Sequence, residues 1–211
     1  MLDRWSMRWV QPPLTRFAAA LVKRRITPDQ VTLLGFVIGL LALPLLAMQA
    51  YGAALGVILL NRLMDGVDGA LARHTQTSSD AGGFLDIALD FVFYAAVVLG
   101  FALANPNANA LAATLLLFAF MGTGSSFLAF AIMAAKHDIE RPHFTHKAFF
   151  YLDGLTEGTE TILAFVAFCV WPQHFALLAI VFAVACLITT ATRLWGGYRT
   201  LKHLESKRTA S

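Results

Sequence analysis

Residues 65–90 read DGVDGALARHTQTSSDAGGFLDIALD. Asp65 and Asp68 are three apart, and Asp86 and Asp90 are four apart. On a helix those spacings set each pair on one face, about 4.5 and about 6 Å apart along the axis. Two helices meeting with these faces inward bring four carboxylates together. Carboxylates at such range repel one another unless cations sit between them, so the pattern points to a metal site. The flanking sequence is strongly apolar, and ionisable groups in such surroundings mark function rather than packing.

Outward from this stretch, composition sets the class. The chain of 211 residues is 58% hydrophobic and 14% charged, against about 25% charged in soluble domains. That is the balance of an integral membrane protein. Cys169 and Cys186 both lie in apolar runs, which argues against a disulfide framework or a cysteine zinc site. A net charge of +3 is too small to imply nucleic acid as a partner. No signal-peptide pattern is expected, because Arg4, Arg8 and Arg16 interrupt the N-terminus and no small-residue cleavage site follows.

Three runs lack charge: 30–61, 91–135 and 161–192. Each exceeds the roughly 20 residues of one membrane span. Each is interrupted by a turn-like patch, at Gln49–Gly52, Asn105–Asn109 and Trp171–His174. Each run therefore reads as a helical hairpin. The expected fold is all-α and integral to the membrane, with six transmembrane helices over 30–49, 51–73, 82–104, 109–135, 154–171 and 174–197. Pro44 reads as a kink or wide turn. Residues 1–28 alternate Trp5, Trp9, Leu14, Phe17 and Leu21 with arginines and Lys23. They read as an N-terminal interfacial amphipathic helix broken at Pro12-Pro13, or as a solvated basic tail. The expected organisation is a juxtamembrane segment over 1–28, one membrane domain over 29–198 and a basic tail over 199–211.

The hairpin tips carry no Lys or Arg. The opposite side carries the N-terminal cluster, Arg73, the loop with Lys136, Arg141 and Lys147, and the tail with Arg199, Lys202, Lys207 and Arg208. This asymmetry places both termini and the carboxylates on the cytoplasmic side. Asp65 lies about 21 Å along a second span that begins near Tyr51, in the cytoplasmic third of a hydrocarbon layer about 30 Å thick.

All-oxygen ligation suits Mg²⁺ or Mn²⁺, and such ions commonly hold phosphate oxygens. Gly69 and Gly82-Gly83 flank the carboxylates, where a missing side chain permits close approach of a ligand or a helix. Arg73, one turn beyond Gly69, offers a forked donor for a phosphate. A diphosphate bridging metal ions and Arg73 is the simplest guest, and one carboxylate remains to deprotonate a nucleophile.

At this point the residues match a family pattern. Asp65, Asp68, Gly69, Ala72, Arg73, Gly82, Asp86 and Asp90 are eight fixed residues over 26 positions. They resemble the signature of the CDP-alcohol phosphotransferases at every defined position. The segment Thr27-Pro28-Asp29-Gln30-Val31-Thr32 is similar to the family's T-P-N-x-x-T start of the first span, with Asp29 where Asn is common. The resemblance implies a transferase of phospholipid synthesis. It would move a phosphatidyl group from a CDP-linked lipid, CDP-diacylglycerol in most relatives, to a small alcohol or a lipid alcohol, and release CMP. It implies that Asp65, Asp68 and Asp86 ligate a pair of divalent ions, with Asp90 facing them as the base. It gives Gly69 and Gly82 the role of making room for the nucleotide, and Arg73 contact with the diphosphate. It also implies a homodimer in a membrane, taken here as a bacterial plasma membrane. The alternatives are a carboxylate-lined transporter, a catalytically silent relative and an intramembrane prenyltransferase. The last would want a second Asp-rich helix pair, which the chain lacks.

Acceptor choice falls to the rest of the chain. Glu157 and Glu160 share a helical face at the level of the Asp cluster. They read either as acceptor contacts or as caps of the fifth span. As contacts, they disfavour a phosphate-bearing acceptor and suit a polyhydroxyl or amine-bearing one, with Arg193, Lys136 and Lys147 as the counterweight. Arg193 itself has two readings, snorkelling to the interface or binding an acceptor anion in the cavity. Residues 122–126, Gly-Thr-Gly-Ser-Ser, read as a close helix contact. His137, His143 and His146 read as part of a solvated loop near lipid headgroups.

Overall fold

The computed structural model describes residues 22, 26–77, 79–137 and 156–209. The expected N-terminal interfacial helix and most of the loop after Lys136 lie outside them. The described residues form seven α-helices and one 3₁₀ turn. They are α1 (Pro28–Leu40), α2 (Ala42–Ala47), α3 (Tyr51–Thr75), α4 (Asp80–Ala104), α5 (Pro106–Lys136), α6 (Gly158–Val170), the turn Pro172–His174, and α7 (Phe175–Thr209).

Local chemistry explains the boundaries. Thr27 caps α1 in a reciprocal box with Gln30, and Pro28 takes the first turn, where its missing N–H is harmless. The first expected span is two helices. Pro44 cannot donate to the carbonyl of Leu40, and α1 ends there before the chain resumes as α2. Gln49 then turns with φ of 61°, and its side chain donates to the carbonyl of Ala104 at 2.8 Å. Two hairpin tips are thereby tied side by side. Gln76, left-handed with φ of 54°, closes α3, and the Ser79 hydroxyl accepts from the Gly82 N–H at 3.0 Å to open α4. The short connection sends α4 back in the direction opposite to α3, and α1 packs against both.

Among the described residues, four segments are long and apolar enough to cross a membrane: Pro28–Ala47, Asp80–Ala104, Pro106–Lys136 and Pro172–Ser206. The other two segments of the six-span expectation differ for clear reasons. Helix α3 has 25 residues but carries Arg62, Asp65, Asp68 and Arg73, and α6 has 13 residues. Helix α7 runs unbroken to Thr209, so the expected basic tail continues the last helix.

The core is aromatic. Phe101 stacks on Phe175 with centroids 4.6 Å apart, and Phe165 and Phe168 meet edge to face with their neighbours. Outward faces show Leu33, Leu34, Val37, Leu111, Phe118, Met121 and Leu177, while Asn61, Asp68, Asn109 and Thr189 are buried. Large apolar side chains outside and polar ones inside match a bundle whose solvent is lipid. A second, smaller cluster of Val31, Val67, Ala70 and Leu71 clamps α1 to α3 beside the carboxylates.

Candidate active site

Helices α3 and α4 deliver the four aspartates, and α1 closes the site. Asp65, Asp68 and Asp86 each offer an oxygen within 4.8 Å of the others. Asp68 is the buried member and accepts a hydrogen bond from the Thr32 hydroxyl on α1. Together with Asp90 these residues line a cavity of about 10 Å³, the size of one water or ion. Three convergent hard oxygens at this spacing fit Mg²⁺ or Mn²⁺.

Asp90 lies in the same cavity but in different company. Its two oxygens accept from the Arg62 guanidinium at 2.6 and 3.2 Å. The Tyr94 hydroxyl stands 3.4 Å from the same carboxylate. Arg62 also reaches Asp65 at 3.7 Å. Arg62 is the functional residue that the sequence reading missed. Its signal was its spacing: three residues before Asp65 it shares that carboxylate's face, and it is a cation in an otherwise apolar stretch.

A groove of about 200 Å³ opens beside the triad, lined by Asp29, Asp68, Gly69, Arg73, Gly82 and Asp86 among others. The glycines matter here because of what surrounds them. A Cβ on Gly82 would sit 3.0 Å from an Asp29 oxygen, and one on Gly69 would sit 3.2 Å from the Arg73 guanidinium. Either methyl would crowd the groove. Arg73 is exposed along it, and Asp29 stands at its rim. The arrangement offers oxygen ligands, a forked cation and an open floor along one line, which suits an extended phosphate-bearing ligand.

A further cavity of about 300 Å³ is lined by Phe91, Tyr94, Phe127, Thr156, Glu157 and Arg193 among others. Tyr94 links this cavity to the triad's surroundings, since it lines the cavity and its hydroxyl stands 3.4 Å from Asp90. Arg193 faces inward, with Nη1 3.4 Å from the Thr123 carbonyl and the guanidinium 5.7 Å above the Phe127 ring. Glu157 and Glu160 part company. They form a capping box at the start of α6, in which a Glu160 oxygen accepts from the Glu157 N–H at 3.1 Å. Glu157 lines the cavity and Glu160 does not. The small-residue run of α5 serves close contact: a Cβ on Gly122 would meet Thr190 at 3.0 Å, and one on Gly124 would meet Phe91 at 2.7 Å. Thr123 and Gly124 also line the cavity wall.

A helical bundle with apolar spans and an aspartate triad beside a groove flanked by Arg73 is the setting of a membrane phosphotransferase. The chain belongs to the CDP-alcohol phosphatidyltransferase family, whose model matches residues 25–195. It is similar to the inner membrane protein YnjF of Escherichia coli K12, with 60% identity over 205 residues that cover 97% of this chain and 99% of that one. It is 39% identical over 94 residues to the archaetidylinositol phosphate synthase of Pyrococcus horikoshii, covering 44% of this chain and 50% of that protein. Its fold is that of the Mycobacterium tuberculosis phosphatidylinositol phosphate synthase PgsA1, solved with CDP-DAG bound. The TM-score is 0.65 at 25% identity, over 88% of this chain and 93% of that one.

Proposed function

We propose that this protein transfers a phosphatidyl group from CDP-diacylglycerol to a small polyhydroxy alcohol and releases CMP. The observation that carries the reading is the convergence of Asp65, Asp68 and Asp86 within 4.8 Å on the floor of the groove that Arg73 overlooks. The donor's diphosphate lies along that groove, with Arg73 on its oxygens and Gly69 and Gly82 leaving room for the nucleotide. Asp65, Asp68 and Asp86 would hold divalent ions, with Asp90 facing them, and such ions would supply charge neutralisation for the phosphoryl oxygens. Asp90 takes the proton of the acceptor hydroxyl. The acceptor oxygen bonds to the lipid-side phosphorus, and the phosphoanhydride bond to CMP breaks. Asp90 suits this task because it lines the small cavity of the triad, and the Tyr94 hydroxyl beside it belongs to a residue that lines the larger cavity.

The inner cavity is the acceptor's place in this reading. Both glutamates take part in the reciprocal capping box, and Glu157 and Arg193 are the charged side chains among the described lining residues. One carboxylate, one guanidinium and flanking threonines support an acceptor with several hydroxyls and one anionic group. The membrane carries six spans in this reading, with α1 and α2 sharing the first. Both termini and the site face the cytoplasm, as the Lys and Arg asymmetry supports.

The test is CMP release by the purified protein given CDP-diacylglycerol, Mg²⁺ or Mn²⁺, and a panel of glycerol 3-phosphate, serine, inositol phosphate, choline and a lipid alcohol. Metal-dependent CMP release with one acceptor strongly preferred is the expected result. No CMP release with any acceptor sinks the reading and favours a silent relative or a transporter.

A further inference from the structure

Arg62 is held too well to be a surface cation. Its Nε donates to the Asn61 side-chain oxygen at 2.8 Å, and the Asn61 amide donates in turn to the Gly35 carbonyl on α1 at 2.9 Å. The guanidinium lies 4.9 Å from the Phe93 ring centroid and 5.5 Å from that of Tyr94, both on α4. Its side chain is 14% exposed. Three helices thus fix one guanidinium, and its fork is spent on both oxygens of Asp90. A bidentate charge-assisted pair of this kind is specific in geometry, and any other cation must break it to take both oxygens. The pair also distinguishes the four carboxylates: three converge, one of them Asp65 with a long 3.7 Å contact to Arg62, and the fourth is held by both arms of the guanidinium.

We propose that Arg62 is a positioning residue that reserves Asp90 from the metal-binding triad. The protein alone then presents one strong divalent-cation site on Asp65, Asp68 and Asp86, and a second ion reaches Asp90 only by displacing the guanidinium. This rests on the metal-binding reading above and adds to it an internal competitor. A hydrogen bond to a charged group contributes about 1.5–3 kcal/mol, so the competition weakens the second ion by about ten- to a hundredfold.

The experiment is a Mn²⁺ titration followed by electron paramagnetic resonance, on the full chain in detergent and without donor. The parent is expected to bind one Mn²⁺ tightly and a second about ten- to a hundredfold more weakly. Arg62→Gln should tighten the second by that factor and the first by clearly less, because Arg62 meets Asp65 through one nitrogen at 3.7 Å rather than through its fork. Adding Asp90→Asn should erase the gain, whereas a general effect of removing positive charge would survive it. Arg62→Lys, which keeps charge without the fork, should fall between, and it decides the matter if thermal melting shows that Arg62→Gln does not fold. Two equally tight ions in the parent, unchanged affinities in both Arg62 variants, or a gain that persists without Asp90 each overturn the inference while leaving the metal site standing. No Mn²⁺ binding by the parent overturns both.

Discussion

Asp90 is set apart from the other three carboxylates by its partners, and the difference is testable one residue at a time. The triad keeps its ligands without it, since Asp65, Asp68 and Asp86 converge by themselves. Asp90→Asn is therefore expected to slow CMP release by at least about a hundredfold, the usual share of a positioned base, with donor KM within a few-fold of the parent. Turnover within tenfold of the parent would remove Asp90 from that role. Arg73 is tested through geometry rather than charge. Arg73→Lys keeps the cation and loses the fork, so donor KM should rise about tenfold with the metal requirement unchanged. An unchanged donor KM would assign Arg73 to the membrane surface instead. At this scale the spacing of the aspartates made the site legible, because positions three and four apart on a helix share a face whatever the helix packs against. Arg62 shows the limit. Its spacing from Asp65 was visible, but its partner Asp90 is 28 residues away on another helix, and only the way α1 packs against both α3 and α4 brings the two together.

Among the helices, the hairpin tips and the short link between α3 and α4 were legible, since turn residues and charge mark them directly. The break after Leu40 was legible only as a kink, because Pro44 removes one donor and the neighbours decide how the chain recovers. Contacts between helices were the least legible. Helix α1 meets α3 and α4 at Gly39, where an added Cβ would lie 2.8 Å from the Asn61 amide and 3.0 Å from the Phe93 ring. Both atoms belong to the frame that holds Arg62. Gly39→Ala should therefore destabilise the protein by about 1–3 kcal/mol, as overpacking does. Gly52→Ala is the matched control, because a Cβ there meets nothing within 4 Å. Thermal melting in detergent reads both, and equal melting temperatures for the two variants would show that α1 yields freely at this contact.

For the molecule as a whole, the proposed reaction needs room for two ligands near the triad, and the fold has a groove lined by Asp68 and Asp86 and a separate cavity lined by Tyr94. The shared level of Glu157 and Glu160 was visible in the sequence, but their division of labour was not. It depends on how α6 begins, where Glu160 reaches back to the Glu157 N–H and Glu157 stays on the cavity wall near Arg193. The two should therefore separate by experiment. Glu160→Ala removes a helix cap and is expected to cost about 1 kcal/mol of stability, with acceptor KM unchanged. Glu157→Gln keeps an oxygen for the capping box and removes only the charge, so stability should hold. Acceptor KM, measured with the donor saturating, should instead rise about tenfold, as for a lost hydrogen bond to a charged group. Donor KM should stay fixed, because the groove lined by Arg73 does not include Glu157. If Glu160→Ala moves acceptor KM as far as Glu157→Gln does, the capping explanation fails and both carboxylates belong to the acceptor. If neither moves it, the inner cavity is not where the acceptor binds.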